Sequence, residues 1–131
     1  MEVHIMEIRI SNYTPHPVNL YAYAKFDPSI RKYRGGVKIG TFTSVGMLNA
    51  KMEEKTVFTR EDGVVFKRTE IVGCDPYPIN FEGSDEYIIV SQLYLSAARQ
   101  MGWDTSHLLT IGGAVVDDAG RVIGAAFLTM N

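Results

Sequence analysis

His4, His16 and His107 are the only histidines and Cys74 is the only cysteine, so nucleophilic and metal chemistry have few residues to draw on. Asp104, Ser106 and His107 set a carboxylate, a hydroxyl and an imidazole close together in "DTSHL". A catalytic triad is made by space and not by adjacency, and such a cluster is the ordinary chemistry of a turn or helix exit. Cys74 stands in no local motif of a reactive thiol. No CxxC, HxH or HExxH spacing occurs, so no metal site is expected. "DPYPINFEGSDE" carries carboxylates without the spacing of a calcium loop. "RGGVKIG" and "TIGGAVV" hold glycines but match no phosphate-loop pattern, and they read as strand ends and turns.

What remains is a scatter of arginines among aromatics. Arg68, Arg99 and Arg121 can each make charge-assisted, bidentate contacts to phosphate. Tyr94 and Trp103 each offer a face on which a base could stack. Arg31, Lys32 and Arg34 cluster in "IRKYRGG", a possible second anion site or a solvated loop. Spacing alone favours the plainer account, in which Tyr94 packs in the core and the arginines are solvated.

The elements that must position these residues are mostly strands. Glu7 to Ile10 ends a first strand, and "VNLYAYAK" from Val18 to Lys25 alternates as a second. Between them "TPHP" removes two backbone donors. Thr14 and His16, each before a proline, are pushed to extended geometry. Pro15-His16-Pro17 reads as a structural knot that stiffens the exit from the first strand near a subunit contact, with His16 a lesser candidate for a ligand. Phe26 to Gly36 reads as a polar, cationic excursion and Val37 to Ser44 as a strand. Met47 to Thr59 and Val64 to Val72 read as long strands joined by "REDG", a strong hairpin signal. Residues 73–86 form a loop punctuated by prolines.

"YIIVS" is a short buried strand, and Ser91 is a good N-cap for the helix that follows. Leu93, Tyr94, Ala97, Ala98 and Met101 recur at helical spacing, Arg99 lies on the less apolar side, and Gly102 stops the run. Leu108 to Val116 and Arg121 to Thr129 make a last hairpin, with Gly120 suited to a left-handed position. The expected fold is α+β: a mainly antiparallel sheet of hairpins with one helix in the C-terminal half, in a single domain spanning residues 1–131.

Composition agrees with one domain. The 131 residues are 46% apolar and 11% aromatic, enough for a core without disulfides or metal. With 13 basic and 15 acidic residues the net charge is −2, which argues against a general DNA or RNA binder but leaves room for a small phosphate-bearing ligand. A single cysteine excludes an internal disulfide and suits a reducing cytoplasm. The opening "MEVHIMEIRI" lacks the apolar core of a signal peptide, and no stretch reaches the ~20 apolar residues of a membrane span. Translation could begin at Met1 or Met6.

The opening "EIRISNYTPHPVNLY" resembles a family of small phage-associated proteins that begin with a strand and a Thr-Pro-His-Pro-Val-Asn segment. "VVFKRTEIVG", "EYIIVSQLYLSAARQM" and "DDAGRVIGAAFL" follow in the same order and span most of the chain, although Phe26 to Glu54 carries no such motif. Within that resemblance the chain is similar to the phage anti-Thoeris sponge family. The resemblance implies a non-catalytic protein that sequesters a cyclic ADP-ribose signal, made by bacterial TIR-domain defence enzymes, without cleaving it. It also implies a homo-oligomer built from dimers, with trimers of dimers and separate cyclic oligonucleotide sites in some members, acting in the host cytoplasm without a cofactor. By the same resemblance Arg68 and Arg121 hold phosphate or base, Tyr94 stacks on adenine, and Asp104 reads a polar edge where the family pattern has an amide; Arg99 joins them as a further ligand-binding candidate. Two other readings stay open: an enzyme that hydrolyses or transfers such a nucleotide, and a phage module that binds a host protein through a sheet edge.

Energetics constrains any such site. Nanomolar capture needs roughly −12 kcal/mol. Two arginine contacts at ~1.5–3 kcal/mol each and one stacked base at ~1–3 kcal/mol do not reach that once ~4–15 kcal/mol of lost freedom is subtracted. The ligand must be enclosed in a preformed pocket, and a chain this small encloses one most easily between subunits.

Overall fold

The computed structural model describes residues 7–131. The choice between Met1 and Met6 as start, the leader reading of the first residues and His4 lie outside the described residues. The strands are β1 (Arg9–Asn12), β2 (Val18–Ala22), β3 (Lys25–Asp27), β4 (Lys32–Arg34), β5 (Val37–Phe42), β6 (Ala50–Thr59), β7 (Val65–Cys74), β8 (Glu86–Ile89), β9 (Leu108–Val116) and β10 (Val122–Met130), with the helix α1 (Gln92–Gln100) between β8 and β9.

The fold is built around β8, α1 and β9. Ser91 has extended backbone geometry, and its Oγ accepts from the Tyr94 N–H at 3.1 Å, which starts the helix where the sequence places its cap. Gly102, at φ +78°, takes the left-handed turn that ends it. The helical crossover returns the chain so that β8 and β9 pair in parallel, Ile88 beside Leu108 and Ile89 beside Leu109. Alternation then sends neighbours to opposite faces. Ile88, Val90 and Leu108 pack with Tyr94, Leu95, Ala97 and Ala98 beneath the helix. Ile89 and Leu109 turn to the other side, against Val18.

The large sheet has the order β1-β8-β9-β10-β2-β5, with β4 also beside β9 and β3 beside β4. The expectation of a mainly antiparallel sheet is therefore corrected. β1–β8, β8–β9, β10–β2 and β4–β9 run parallel, whereas β9–β10, β2–β5 and β3–β4 run antiparallel. Hairpins are visible in a sequence because their strands adjoin. Pairings between distant segments leave no such local trace, and they supply the parallel half. A parallel bridge from Asn12 to Ser44 ties the β1 edge to the chain just beyond β5 and curls the sheet partly into a barrel.

Three other expectations change. β2 stops at Ala22, because Tyr23 adopts φ +61°, a left-handed conformation that breaks a strand. The polar excursion is a short hairpin, β3–β4, whose turn is closed by Asp27 accepting from the Ser29 N–H at 3.0 Å. β6 starts at Ala50, three residues after Met47. The predicted turns hold. Gly63 N–H donates to Arg60 O at 2.9 Å between β6 and β7, and Gly120, at φ +81°, closes the β9–β10 turn by donating to Asp117 O at 3.0 Å.

The proline knot has one organiser. Asn12 is 1% exposed, and its Nδ2 donates to His16 O at 2.7 Å and to Phe42 O at 2.9 Å. Its Oδ1 accepts from the Thr14 N–H at 2.9 Å and from Thr14 Oγ1 at 2.6 Å. One buried amide thus supplies donors where the prolines have none, accepts from Thr14 with its oxygen, and joins the knot to β5. Asn12→Asp keeps the shape and the acceptor half but removes both donors, leaving Phe42 O without this donor and His16 O with Thr14 Oγ1 alone at 3.1 Å. It is expected to cost about 3 kcal/mol in urea unfolding. A loss under about 0.5 kcal/mol would show that the knot holds itself.

Candidate functional site

The loop from Asp75 to Asp85 and the turn after α1 face each other across a cleft of about 430 Å³, lined by Tyr77, Ile79, Asn80, Phe81, Glu82, Gly83, Asp104 and His107. The prolines of "DPYPINF" keep the first loop extended, so Tyr77 and Phe81 stand against the helix-exit turn. Tyr77 meets Phe81 edge-on with ring centroids 5.2 Å apart, and Trp103 at 5.3 Å. Phe81 lies parallel to the His107 ring at 5.0 Å, and Tyr87 covers that ring at 4.9 Å. His107 Nδ1 lies 2.8 Å from Glu86 O and must donate there, because a carbonyl only accepts.

Asp104 is the one sequence-predicted residue in the cleft. Its Oδ1 accepts from the Ser106 N–H at 2.9 Å, and the hydrogen bonds from Ser106 hold its carboxyl below the usual carboxylate range. The same bond shows what "DTSHL" does: it closes a turn, as the sequence suggested. The Asp104 carbonyl accepts from the Tyr77 hydroxyl at 2.7 Å, which locks the two walls together.

The other predicted residues are placed elsewhere. Tyr94 is 0% exposed, and its hydroxyl donates to Asp75 O at 2.6 Å. Its ring is spent on the core, so no base can stack on it in this chain. The stacking assignment is corrected on that ground, and the plainer packing account holds for Tyr94. Arg99, exposed on α1, reaches Asn131 Oδ1 at 3.4 Å. Arg121 pairs with Asp117, Nε to Oδ2 at 3.0 Å. Arg68 is exposed on β7 opposite Lys55, which pairs with Glu70 at 3.0 Å. Arg34 pairs with Asp27 at 3.2 Å and Lys32 lies on β4, so the Arg31, Lys32 and Arg34 cluster is partly neutralised. Arg31 sits at the hairpin turn with φ +53°.

No cation lines the cleft, and Glu82 and Asp104 make it acidic. It suits the amino edge of a base or the hydroxyls of a sugar, and it repels phosphate. Tyr77 and Phe81 were missed by sequence reasoning, and His107 was weighed only as part of the turn cluster in "DTSHL". The signal available was the aromatic spacing of "DPYPINF". Among the described residues no group of three or more His, Cys, Asp or Glu is gathered to hold a metal. No helix among them is long and apolar enough to cross a membrane. Compared with known proteins, the chain matches no protein-family model, no curated protein and no solved structure.

Two phenols, Tyr77 of the cleft and Tyr94 of the core behind it, resist ionisation. Burial pushes Tyr77 up to about 12, and burial raises Tyr94 further. A raised phenol pKa means that the folded state holds its protons more tightly than the unfolded chain, whose tyrosines titrate near 10. That contribution is complete below about pH 10 and is lost as pH rises through 10 to 12. The urea midpoint is expected to fall between about pH 9 and about pH 11.5, and Tyr77→Phe should flatten part of the fall. An unchanged slope in Tyr77→Phe would remove Tyr77 as a cause.

Proposed function

We propose that this protein is a non-catalytic binder that sequesters a cyclic ADP-ribose type of signal, and that the site is completed between copies of the chain. The observation that carries the reading is the mismatch between the cleft and the cations. The cleft has aromatic walls and hydrogen-bonding carboxylates for a base and ribose, at a volume within the usual range of ligand sites. The arginines suited to a pyrophosphate stand on other exposed elements. A nucleotide held by one copy would have its phosphates against Glu82 and Asp104 or in solvent, and the affinity of a sponge would be out of reach.

The β6–β7 hairpin supports the second half of the reading. It forms a two-stranded sheet of its own, and its root packs against the helical core through Ala50, Ile71 and Cys74. Beyond the root it is exposed on both faces, with Val57, Val64 and Val65 about half-exposed and Phe58 stacked on Phe66 at 4.5 Å. An isolated ribbon of this kind is marginal in water, and an apolar patch of this extent is the mark of an interface. A second copy seated on the arm would cover these side chains and carry Arg68 toward a neighbour's ligand. In the stacking role Tyr77, Phe81 and Trp103 replace Tyr94. The same exposed arm favours one other reading, a phage module that docks a host protein.

The test is capture and heat release. The purified protein is incubated with the products of a TIR-domain defence enzyme, freed of unbound nucleotide, and boiled; the supernatant is then examined by mass spectrometry. An intact cyclic ADP-ribose isomer is expected. Arg68→Ala should weaken capture by about tenfold to a hundredfold with unfolding unchanged, as expected for one charge-assisted contact. Asp104→Asn should change base preference. A chemically altered nucleotide would make the protein an enzyme, and a signal left free and unchanged would hand the arm to a protein partner.

A further inference from the structure

The two faces of the β6–β7 arm are built differently. Residues opposite each other in an antiparallel pair share a face, and successive residues alternate between faces. Met52 with Ile71, Glu54 with Thr69 and Thr56 with Lys67 lie on the face whose root meets the helical core. There the charges satisfy each other, with Lys67 Nζ 3.7 Å from the Glu54 carboxylate. The outer face carries the other set. From root to tip its rows are Lys51 with Gly73, Glu53 with Glu70, Lys55 with Arg68, and Phe58 with Phe66. Like charges thus stand directly opposite in two successive rows, which destabilises a lone ribbon. One diagonal relieves part of this, Lys55 Nζ to the Glu70 carboxylate at 3.0 Å. Glu53 and Arg68, both exposed, take part in no salt bridge among the described residues.

An acidic row beside a basic row is complemented by the same pattern run backwards. A second copy of the arm, laid outer face to outer face about a two-fold axis between the two rows, supplies that pattern. Glu53 then lies over the partner's Lys55 and Glu70 over the partner's Arg68, so attraction replaces the repulsion within each row. Rows on one face are about 6.8 Å apart, which carries the Phe58–Phe66 stack over the partner's Lys51, an ammonium suited to a ring face. Arms laid the other way, tip beside tip, would set Glu53 on the partner's Glu70, and charge excludes that. The outer face of a ten-residue ribbon is roughly 33 Å by 10 Å. That is well short of the ~800 Å² each partner buries in a standard interface. Area therefore does not choose the partner, and charge does.

We infer that the outer face of the arm is a self-complementary, two-fold contact with a second copy of this chain, set in register by Glu53 and Glu70 over the partner's Lys55 and Arg68. The inference rests on that part of the reading above in which a second copy covers the arm, and not on what the cleft holds. Arg68 keeps spare donors in this contact, because a guanidinium has more N–H groups than one carboxylate takes up.

The test is sedimentation velocity of the full chain over a concentration series, at about 0.05 and about 0.5 M NaCl. Reversible association is expected, weakened about tenfold or more by the added salt. Glu53→Lys with Glu70→Lys, and Lys55→Glu with Arg68→Glu, should each lose that association, and an equal mixture of the two variants should pair. The fourfold variant exchanges both rows, keeps opposite charges on the diagonal within the chain, and should associate as the wild type does. It guards against a double variant that fails to fold. A folded fourfold variant that stays monomeric overturns the contact. Association that ignores salt and every reversal also overturns it, while leaving copies joined by another face, so that a shared ligand site would stand. A wild-type monomer at every concentration overturns the contact and the shared site together. The fourfold variant also lacks Arg68. Restored association with weakened nucleotide capture upholds both readings, whereas restored association with unchanged capture upholds the contact and removes Arg68 from the nucleotide site.

Discussion

Everything in this fold hangs on two strands that must be dry on both sides. β8 and β9 lie side by side, and each sends one residue beneath α1 and the next into the interior of the curled sheet. That demand explains why "YIIV" and "LL" are continuous apolar runs and not alternating ones. It also explains the size of the helix residues. Ala97 and Ala98 let α1 lie close to the sheet, and Tyr94 and Leu95 fill the space to either side. The helix is short, yet it covers these strands and the root of the β6–β7 hairpin together. The remaining strands extend this unit outward, and Asn12 ties the two ends of the extension toward each other.

The charge arrangement follows from how the loops leave that unit. The loop after β7 begins with Asp75 and the turn after α1 carries Asp104, and both carboxylates accept backbone N–H groups. Acidic groups therefore gather where aromatic faces are also gathered, and the cations are left to the arm, the outer face of α1 and the hairpin turns. A single chain thus keeps its acidic, aromatic cleft apart from its cations. In the nucleotide reading proposed above, electrostatic complementarity between copies would bring the two together.

How much of this was legible in the sequence varied with how local the cause was. Ser91, Gly102, Gly120 and the Asp62-Gly63 turn act within a few residues, and each does what its type predicts. The β3–β4 hairpin was hidden because its strands are three residues long and its turn looks like a charged loop. The parallel pairings were hidden because β2 and β10 are about a hundred residues apart in the chain. At the site, Asp104 and Tyr94 were both singled out through the resemblance, whereas the residues alone read Asp104 as a turn former and favoured the core for Tyr94. An aromatic at helical spacing is equally good as a core residue and as a platform, and only the closeness of Asp75 O to its hydroxyl decides. The cleft aromatics sit in a proline-rich loop, where periodicity has nothing to say.

The β6–β7 arm has a consequence for how such a protein can change over generations. Its root is anchored in the helical core through Ala50, Ile71 and Cys74, and beyond the root the strands are exposed along their length. Substitutions along that outer stretch disturb cross-strand pairs such as Phe58 on Phe66 but leave the packed core alone, so it tolerates change that the core does not. A lineage facing a new target could rewrite the tip residue by residue while the core stayed still. The arm is the part of the molecule most free to change while the core stays as it is.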